Sequence, residues 1–277
     1  MASAGAIEPQ AVGDRHRVGS DALFFICLIG LSSCYVIMII GMVLADMSYT
    51  TPDRLLSTIV DNPYIRQSIR LSLLTCTTTT ILSLWVAVPI GYLLARYNFR
   101  GKAIVDTVLD IPIVLPPLVV GLSLLILFKY PPFSFIAEHV VFEVPAVILA
   151  QFMVACAFSV RTMRIAFEQI SPRPEQVALT LGCTRNQAFW SVVMPEARSG
   201  VLTAGTLAWA RSLGEFGPVL IFAGSMRGNT EVLPTTVFLE FQAGHLTEAL
   251  AVSMVMIITA MIVLVITRLF GAERSIL

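Results

Sequence analysis

The sequence predicts an all-α membrane protein with six transmembrane helices and both termini in the cytoplasm. Three observations carry this reading. Hydrophobic residues make up 56% of the chain and charged residues only 13%, whereas soluble domains carry about 25% charge. Apolar stretches of span length recur six times. The basic residues, finally, divide unequally between the two sides that those spans define. The 18 basic and 18 acidic side chains cancel, so net charge points to no nucleic-acid partner, while the apolar composition points to the lipid bilayer as the surroundings.

The first span is Ala22–Ala45, the second about Ile69–Ala95 and the third about Ala103–Phe128. The fourth, Val144–Val160, is the shortest at 17 residues and is expected to use Arg161 and Arg164 as interfacial anchors. The fifth runs from about Gly200 to Ala223 and the sixth from about Ala249 to Phe270. At about 1.5 Å per residue the others can each cross a hydrocarbon core of roughly 30 Å. With the N-terminus inside, twelve basic residues face the cytoplasm: Arg15, Arg17, Arg96, Arg100, Lys102, Arg161, Arg164, Arg173, Arg185, Arg198, Arg268 and Arg274. Five face outward, namely Arg54, Arg66, Arg70, Lys129 and Arg227, while Arg211 lies inside the fifth span. The positive-inside bias therefore sets this orientation. Residues 1–20, rich in Ala, Gly and polar types, are expected to form a mobile tail, and 271–277 a second one. Leu31-Ser32-Ser33-Cys34 resembles a lipoprotein processing site. Tyr35–Leu44 stays apolar for three more turns, which favours a retained anchor helix.

Within the third span, Pro112, Pro116 and Pro117 each remove a backbone donor, so this helix should kink or break. A merely kinked helix and a path-lining segment both remain open, since irregular backbone at membrane depth needs protein or water to satisfy it. Pro89 and Gly91 near the end of the second span make a milder case. The hydroxyls of Thr75–Thr80 are expected to bond back along their own helix. Arg211 and Glu215, four residues apart in the fifth span, should share a helix face and partly neutralise one another at a depth where a lone charge costs about 2.5–3.5 kcal/mol. They are either a structural pair or part of a gate.

Between the fourth and fifth spans lies a polar island, EQVALTLGCTRNQAFWSVVMP (175–195). Ser171-Pro172-Arg173-Pro174 ends the preceding helix, and Pro174 with Glu175 suits the first turn of a new one. Val177, Ala178 and Leu181 form an apolar stripe, stopped by Gly182 in a left-handed cap. A second short helix, about Arg185 to Met194, carries Ala188, Phe189, Val192 and Val193 and is closed by Pro195. Two short helices joined at a glycine make a knob suited to docking a soluble partner, with a helix lying at the lipid interface as the alternative.

Catalytic, metal and cofactor signatures are missing from the sequence. Cys27, Cys34, Cys76, Cys156 and Cys183 show no paired spacing and read as packing residues. His16, His139 and His245 are scattered. The chain contains no GxxxxGK[ST], GxSxG or HExxH string, so it is expected to be a non-catalytic transport subunit with no cofactor of its own, any nucleotide being hydrolysed elsewhere.

Glu175-Gln176-Val177-Ala178, then Gly182 and Met194-Pro195, resemble the cytoplasmic "EAA" loop of ABC-importer permeases, with the glycine and proline thirteen positions apart. Val177 stands where that pattern has Ala, and Met194 where it has Leu. NFRGK (98–102), LPPLVVGL (115–122) and RSLGEFGPVLIFAG (211–224) are similar to the molybdate, tungstate and sulfate permeases. The resemblance implies a type I ABC-importer permease in the inner membrane of a prokaryote. Its partners would be a second copy of itself, two ABC ATPase subunits and an extracytoplasmic oxyanion-binding protein. Residues 65–270 would be the permease core, preceded by the first helix and an outer loop (21–64), and 172–195 the ATPase-docking loop. Coupling would fall to Glu175, Gln176, Val177, Ala178, Gly182 and Pro195. The path or gate would draw on Arg211, Ser212, Glu215, Phe216, Pro116 and Pro117. A self-contained anion carrier or channel is the alternative, and it would need no docking element.

Overall fold

The computed structural model describes residues 22–49 and 52–272; the expected tail at 1–20 lies outside them, as does that at 271–277 except for Gly271 and Ala272, which belong to the last helix. The described residues are helices joined by turns. They form two compact units, divided after Tyr49. The first is one uninterrupted helix, α1 (Ala22–Tyr49), running through the Ser33–Cys34 site without a break. Its length and apolar composition suffice to cross a membrane.

The second unit opens with α2 (Pro52–Asp61) and α3 (Pro63–Arg96). Asn62 caps α3 by accepting from the backbone N–H groups of Tyr64 and Ile65, and Pro63 fits the first turn because its missing donor would be unpaired there anyway. Then follow α4 (Lys102–Val114), α5 (Pro117–Leu127), the short α6 (Ala137–Val140) and α7 (Val144–Gln169). After the knob, described below as α8 (Arg173–Thr180) and α9 (Arg185–Ala188), come α10 (Met194–Leu213), α11 (Gly217–Phe222), α12 (Leu233–Gln242) and α13 (Leu246–Ala272).

Four helices among the described residues are long and apolar enough to span by themselves: α1, α3, α7 and α13. The expected fourth span is longer than its apolar run, continuing to Gln169. Arg161 and Arg164 therefore lie on the helix rather than past its end, and Arg164 bonds Asp106 of α4 at 2.7 Å and Glu168 at 2.8 Å. The third span breaks, as its prolines require: α4 and α5 meet at an angle of 112°, with Leu115 and Pro116 between them. Pro112 is accommodated inside α4 and Pro89 inside α3. The expected fifth span divides as well, with α10 ending at Leu213 and α11 starting at Gly217, and neither piece is among the described helices that are long and apolar enough to cross a membrane.

Small residues let these helices approach closely, the usual device where lipid supplies no hydrophobic drive between them. A Cβ on Gly91 of α3 would lie 2.8 Å from the Met163 Cβ of α7, and one on Gly200 of α10 would lie 2.4 Å from the Ala166 Cβ. The α7 helix is thus held between α3 and α10 at one level. The two helix breaks meet likewise. A Cβ on Gly121 would strike Pro218 at 2.8 Å, and one on Gly217 would reach the Leu118 nitrogen at 3.0 Å. The side of α3 facing its neighbours is small and polar, with Ser68, Ser72, Thr75, Thr79 and Ser83 all buried. Thr75, Thr77, Thr78 and Thr80 donate to carbonyls three or four residues back, as expected. Thr79 instead reaches α7, donating to Gln151 at 3.2 Å.

Candidate functional site: the helical knob and the broken spans

The polar island folds as two short helices around a glycine. Pro174 occupies the first turn of α8, and Gly182 has φ +93°, the left-handed conformation a stop of this kind needs. Thr184 caps α9 reciprocally with Gln187: its hydroxyl accepts from the Gln187 N–H at 3.3 Å, and the Gln187 side chain accepts from the Thr184 N–H at 2.8 Å. Pro195 does not close this helix. Residues 189–193 widen into a π turn, and the chain continues straight into α10 with Pro195 in its opening turn. A π turn shifts hydrogen bonds to a wider spacing, so the proline's missing donor interrupts nothing and the knob runs directly into α10.

The apolar stripe divides in two. Ala178 and Ala188 are buried, whereas Val177 is 56% and Leu181 79% exposed, with Trp190 at 61%. Gln176 and Pro195 also stand exposed. Glu175 turns inward, and its setting is one that sequence spacing does not reveal. The Arg96 guanidinium lies 3.3 Å from its carboxylate, and the Tyr92 hydroxyl donates to it. Arg96 further donates to the Ile170 carbonyl at 2.9 Å. Tyr97 accepts from Arg185 of α9 at 2.6 Å. The Tyr92 ring packs edge-on against Phe167 and Phe189 at 5.6 and 4.9 Å between centroids. Both knob helices are therefore fastened to the end of α3, α8 to its last turn and α9 to its cap residue Tyr97, some eighty residues earlier in the chain.

At the second break, Arg211 and Glu215 pair at 3.0 Å, but not along one helix face: the helix ends at Leu213, and Glu215 sits in the connecting turn, 1% exposed. Arg211 remains a third exposed, its guanidinium 5.5 Å from the centre of the Phe158 ring of α7. Ser212 is buried and donates to the Ala208 carbonyl at 2.8 Å. The Phe216 ring packs on Phe238 at 5.1 Å and lines an apolar recess of about 470 Å³ with α12 and α13. Pro116 and Pro117 lie exposed at the other break, where Pro117 borders Gly217. The six gate candidates thus cluster around two chain breaks, with the Pro117–Gly217 approach joining them.

At the end of the bundle opposite the knob, Glu240 is 3% exposed and holds Arg227 at 2.6 Å and His245 at 2.9 Å. Beside it Glu231 is buried with neither carboxylate oxygen hydrogen-bonded, since Thr236 donates to the Val232 carbonyl instead. Burial holds the Glu231 carboxyl above its ordinary value of 4.5; the nearness of Thr236 and Arg227 opposes this and Glu240 adds to it. The folded chain binds this proton more tightly than the unfolded one. The stability it contributes is therefore complete below about pH 4.5 and is lost as pH rises through the raised folded value. Glu231→Gln should flatten that part of the pH dependence and raise the unfolding midpoint at neutral pH. Superimposable pH profiles for the two proteins would contradict this.

Four membrane-length helices, a bent span and an exposed two-helix knob define a multi-pass membrane protein. Residues 87–272 match the binding-protein-dependent transport system inner membrane component family, and the chain belongs to it. It is thus a multi-pass inner-membrane subunit without catalysis of its own, ATP hydrolysis in this family residing in a separate subunit. Over 170 residues it is 35% identical to the molybdate/tungstate transport system permease protein of Pyrococcus abyssi, covering 61% of this chain and 65% of that one, just under two thirds of its length. Over 248 residues it is 31% identical to the sulfate transport system permease protein of Salmonella typhimurium, covering 88% and 87%. Its fold is shared with a chain of the bacterial alginate ABC transporter, solved with an alginate pentasaccharide-bound periplasmic protein, at a TM-score of 0.70 and 18% identity over 92% and 94% of the two chains.

Proposed function

We propose that this chain, as a homodimer, is the membrane-spanning part of an ATP-driven importer for a tetrahedral oxyanion, molybdate or tungstate before sulfate. An extracytoplasmic binding protein delivers the solute, and two ABC ATPase subunits drive alternating access. Residues 65–270 are the permease core, with both termini in the cytoplasm. The docking loop, 172–195, offers Glu175, Gln176, Val177, Ala178, Gly182 and Pro195 for coupling. The observation that carries this reading is the knob: Val177 and Leu181 stand exposed while Glu175 behind them is held by Arg96 and Tyr92. Exposed aliphatic side chains on a rigid support suit insertion into a partner's cleft, and a self-contained carrier has no use for them. Arg211, Ser212, Glu215, Phe216, Pro116 and Pro117 border the path. The relatives' substrates, molybdate, tungstate and sulfate, support the oxyanion class.

Reconstitution tests the proposal. Vesicles holding the permease, its ATPase and its binding protein should accumulate labelled molybdate only when ATP and the binding protein are both present. Sulfate should compete weakly. Uptake without ATP or the binding protein would overturn it in favour of a self-contained carrier.

A further inference from the structure

The docking loop explains how the chain meets an ATPase, but not how a push on a small exposed knob enters a bundle whose helices are packed side by side. Covalent continuity supplies two routes, back into α7 through 170–172 and forward into α10 through the π turn. The side chains supply a third. Glu175 of α8 is gripped by Arg96 and Tyr92, and Arg185 of α9 by Tyr97, so each knob helix has its own polar fastening to the last turn of α3 or to the cap residue that follows it. Arg96 and Glu175 are only 11% and 13% exposed. Neither side chain is therefore free to serve as a contact for a docked partner, and an ion pair screened from water is stronger than an exposed one. At its far end α3 is bonded again. Gln67 donates to the Gly228 carbonyl, and the buried Ser72 hydroxyl accepts from the Leu233 N–H at 2.8 Å. The longest helix of the second unit, 34 residues, thus joins the knob to the 224–233 loop at the opposite end.

We infer that Tyr92, Arg96 and Tyr97 are positioning residues that couple the knob to α3, making this helix the rod by which nucleotide-driven movement reaches the 224–233 loop. The inference rests on the docking reading above. It gives Glu175 an intramolecular task, gripping α3, rather than contact with the ATPase.

A charge exchange in the reconstituted complex separates these roles. Arg96→Glu and Glu175→Arg should each reduce ATP turnover stimulated by the loaded binding protein by about tenfold, the loss of one charge-assisted contact. The double variant should recover most of that loss, because the pair is restored with its polarity reversed. Tyr92→Phe keeps the ring against Phe167 and Phe189 and removes only the hydroxyl. It should lower stimulated turnover in the same direction by a smaller factor, with the ATPase still co-purifying. A double variant no better than the worse single one, in a permease that still captures the ATPase, would overturn the inference and leave the docking reading intact. Unchanged turnover in both single variants would overturn it equally. Failure of the unaltered chain to capture an ATPase would instead sink the docking reading.

Discussion

Gly182→Val should strip the ATPase subunit from the purified complex and reduce ATP-driven uptake to less than about a tenth. Gly182 sits at φ +93°, where a β-branched residue carries a backbone cost of about 1–3 kcal/mol. A Cβ there meets no atom within 4 Å, so the valine disturbs nothing inside the permease and acts on the angle between α8 and α9 alone. That angle sets how Val177 and Leu181 are presented. Gly244→Val is the matched control. Gly244 has φ +83°, with open space around it, in the turn between α12 and α13. It should cost similar stability and leave the ATPase bound. Equal loss of the ATPase from both variants would show that global destabilisation, rather than knob geometry, is responsible.

The second large effect belongs to Glu215. Glu215→Gln removes the carboxylate that pairs with Arg211 at 3.0 Å and leaves a half-buried guanidinium unpaired where α10 breaks. At the membrane depth expected of the fifth span an unpaired charge costs about 2.5–3.5 kcal/mol, so uptake or assembled complex should fall by at least about tenfold. Glu231→Gln should be far milder, because burial already favours the protonated Glu231 carboxyl that glutamine resembles. The double variant Arg211→Gln/Glu215→Gln then divides the two possible roles. Recovery of assembled complex without recovery of uptake assigns the pair to the path, and recovery of both assigns it to holding α10 against its neighbours. Equal, negligible effects of Glu215→Gln and Glu231→Gln on uptake would remove the pair from the mechanism.

Much of this was legible in the residues because lipid imposes simple rules. Apolar length marked α1, α3, α7 and α13, and three prolines in twelve residues marked the break between α4 and α5. The glycine stop at 182 and the helix start at Pro174 followed from backbone chemistry alone. What escaped were events that depend on other helices. Val144–Val160 looked short because Arg161 and Arg164 interrupt its apolar run, yet Asp106 and Glu168 pair with Arg164 and let the helix continue. Pro195 read as a helix end because a local rule cannot foresee the π turn that absorbs it. Arg211 and Glu215 were placed on one helix, whereas α10 ends between them at Leu213, capped by Gly214. The grip of Arg96 and Tyr92 on Glu175 left no trace in spacing.

The knob carries its own reporter. Cys183 is exposed beside Gly182, while Cys76 and Cys156 are buried. With Cys27 and Cys34 replaced by alanine, a membrane-impermeant maleimide should modify Cys183 in inside-out vesicles but not in right-side-out ones, and bound ATPase should shield it. Modification from the outer side, or equal modification with and without the ATPase, would contradict a cytoplasmic docking knob.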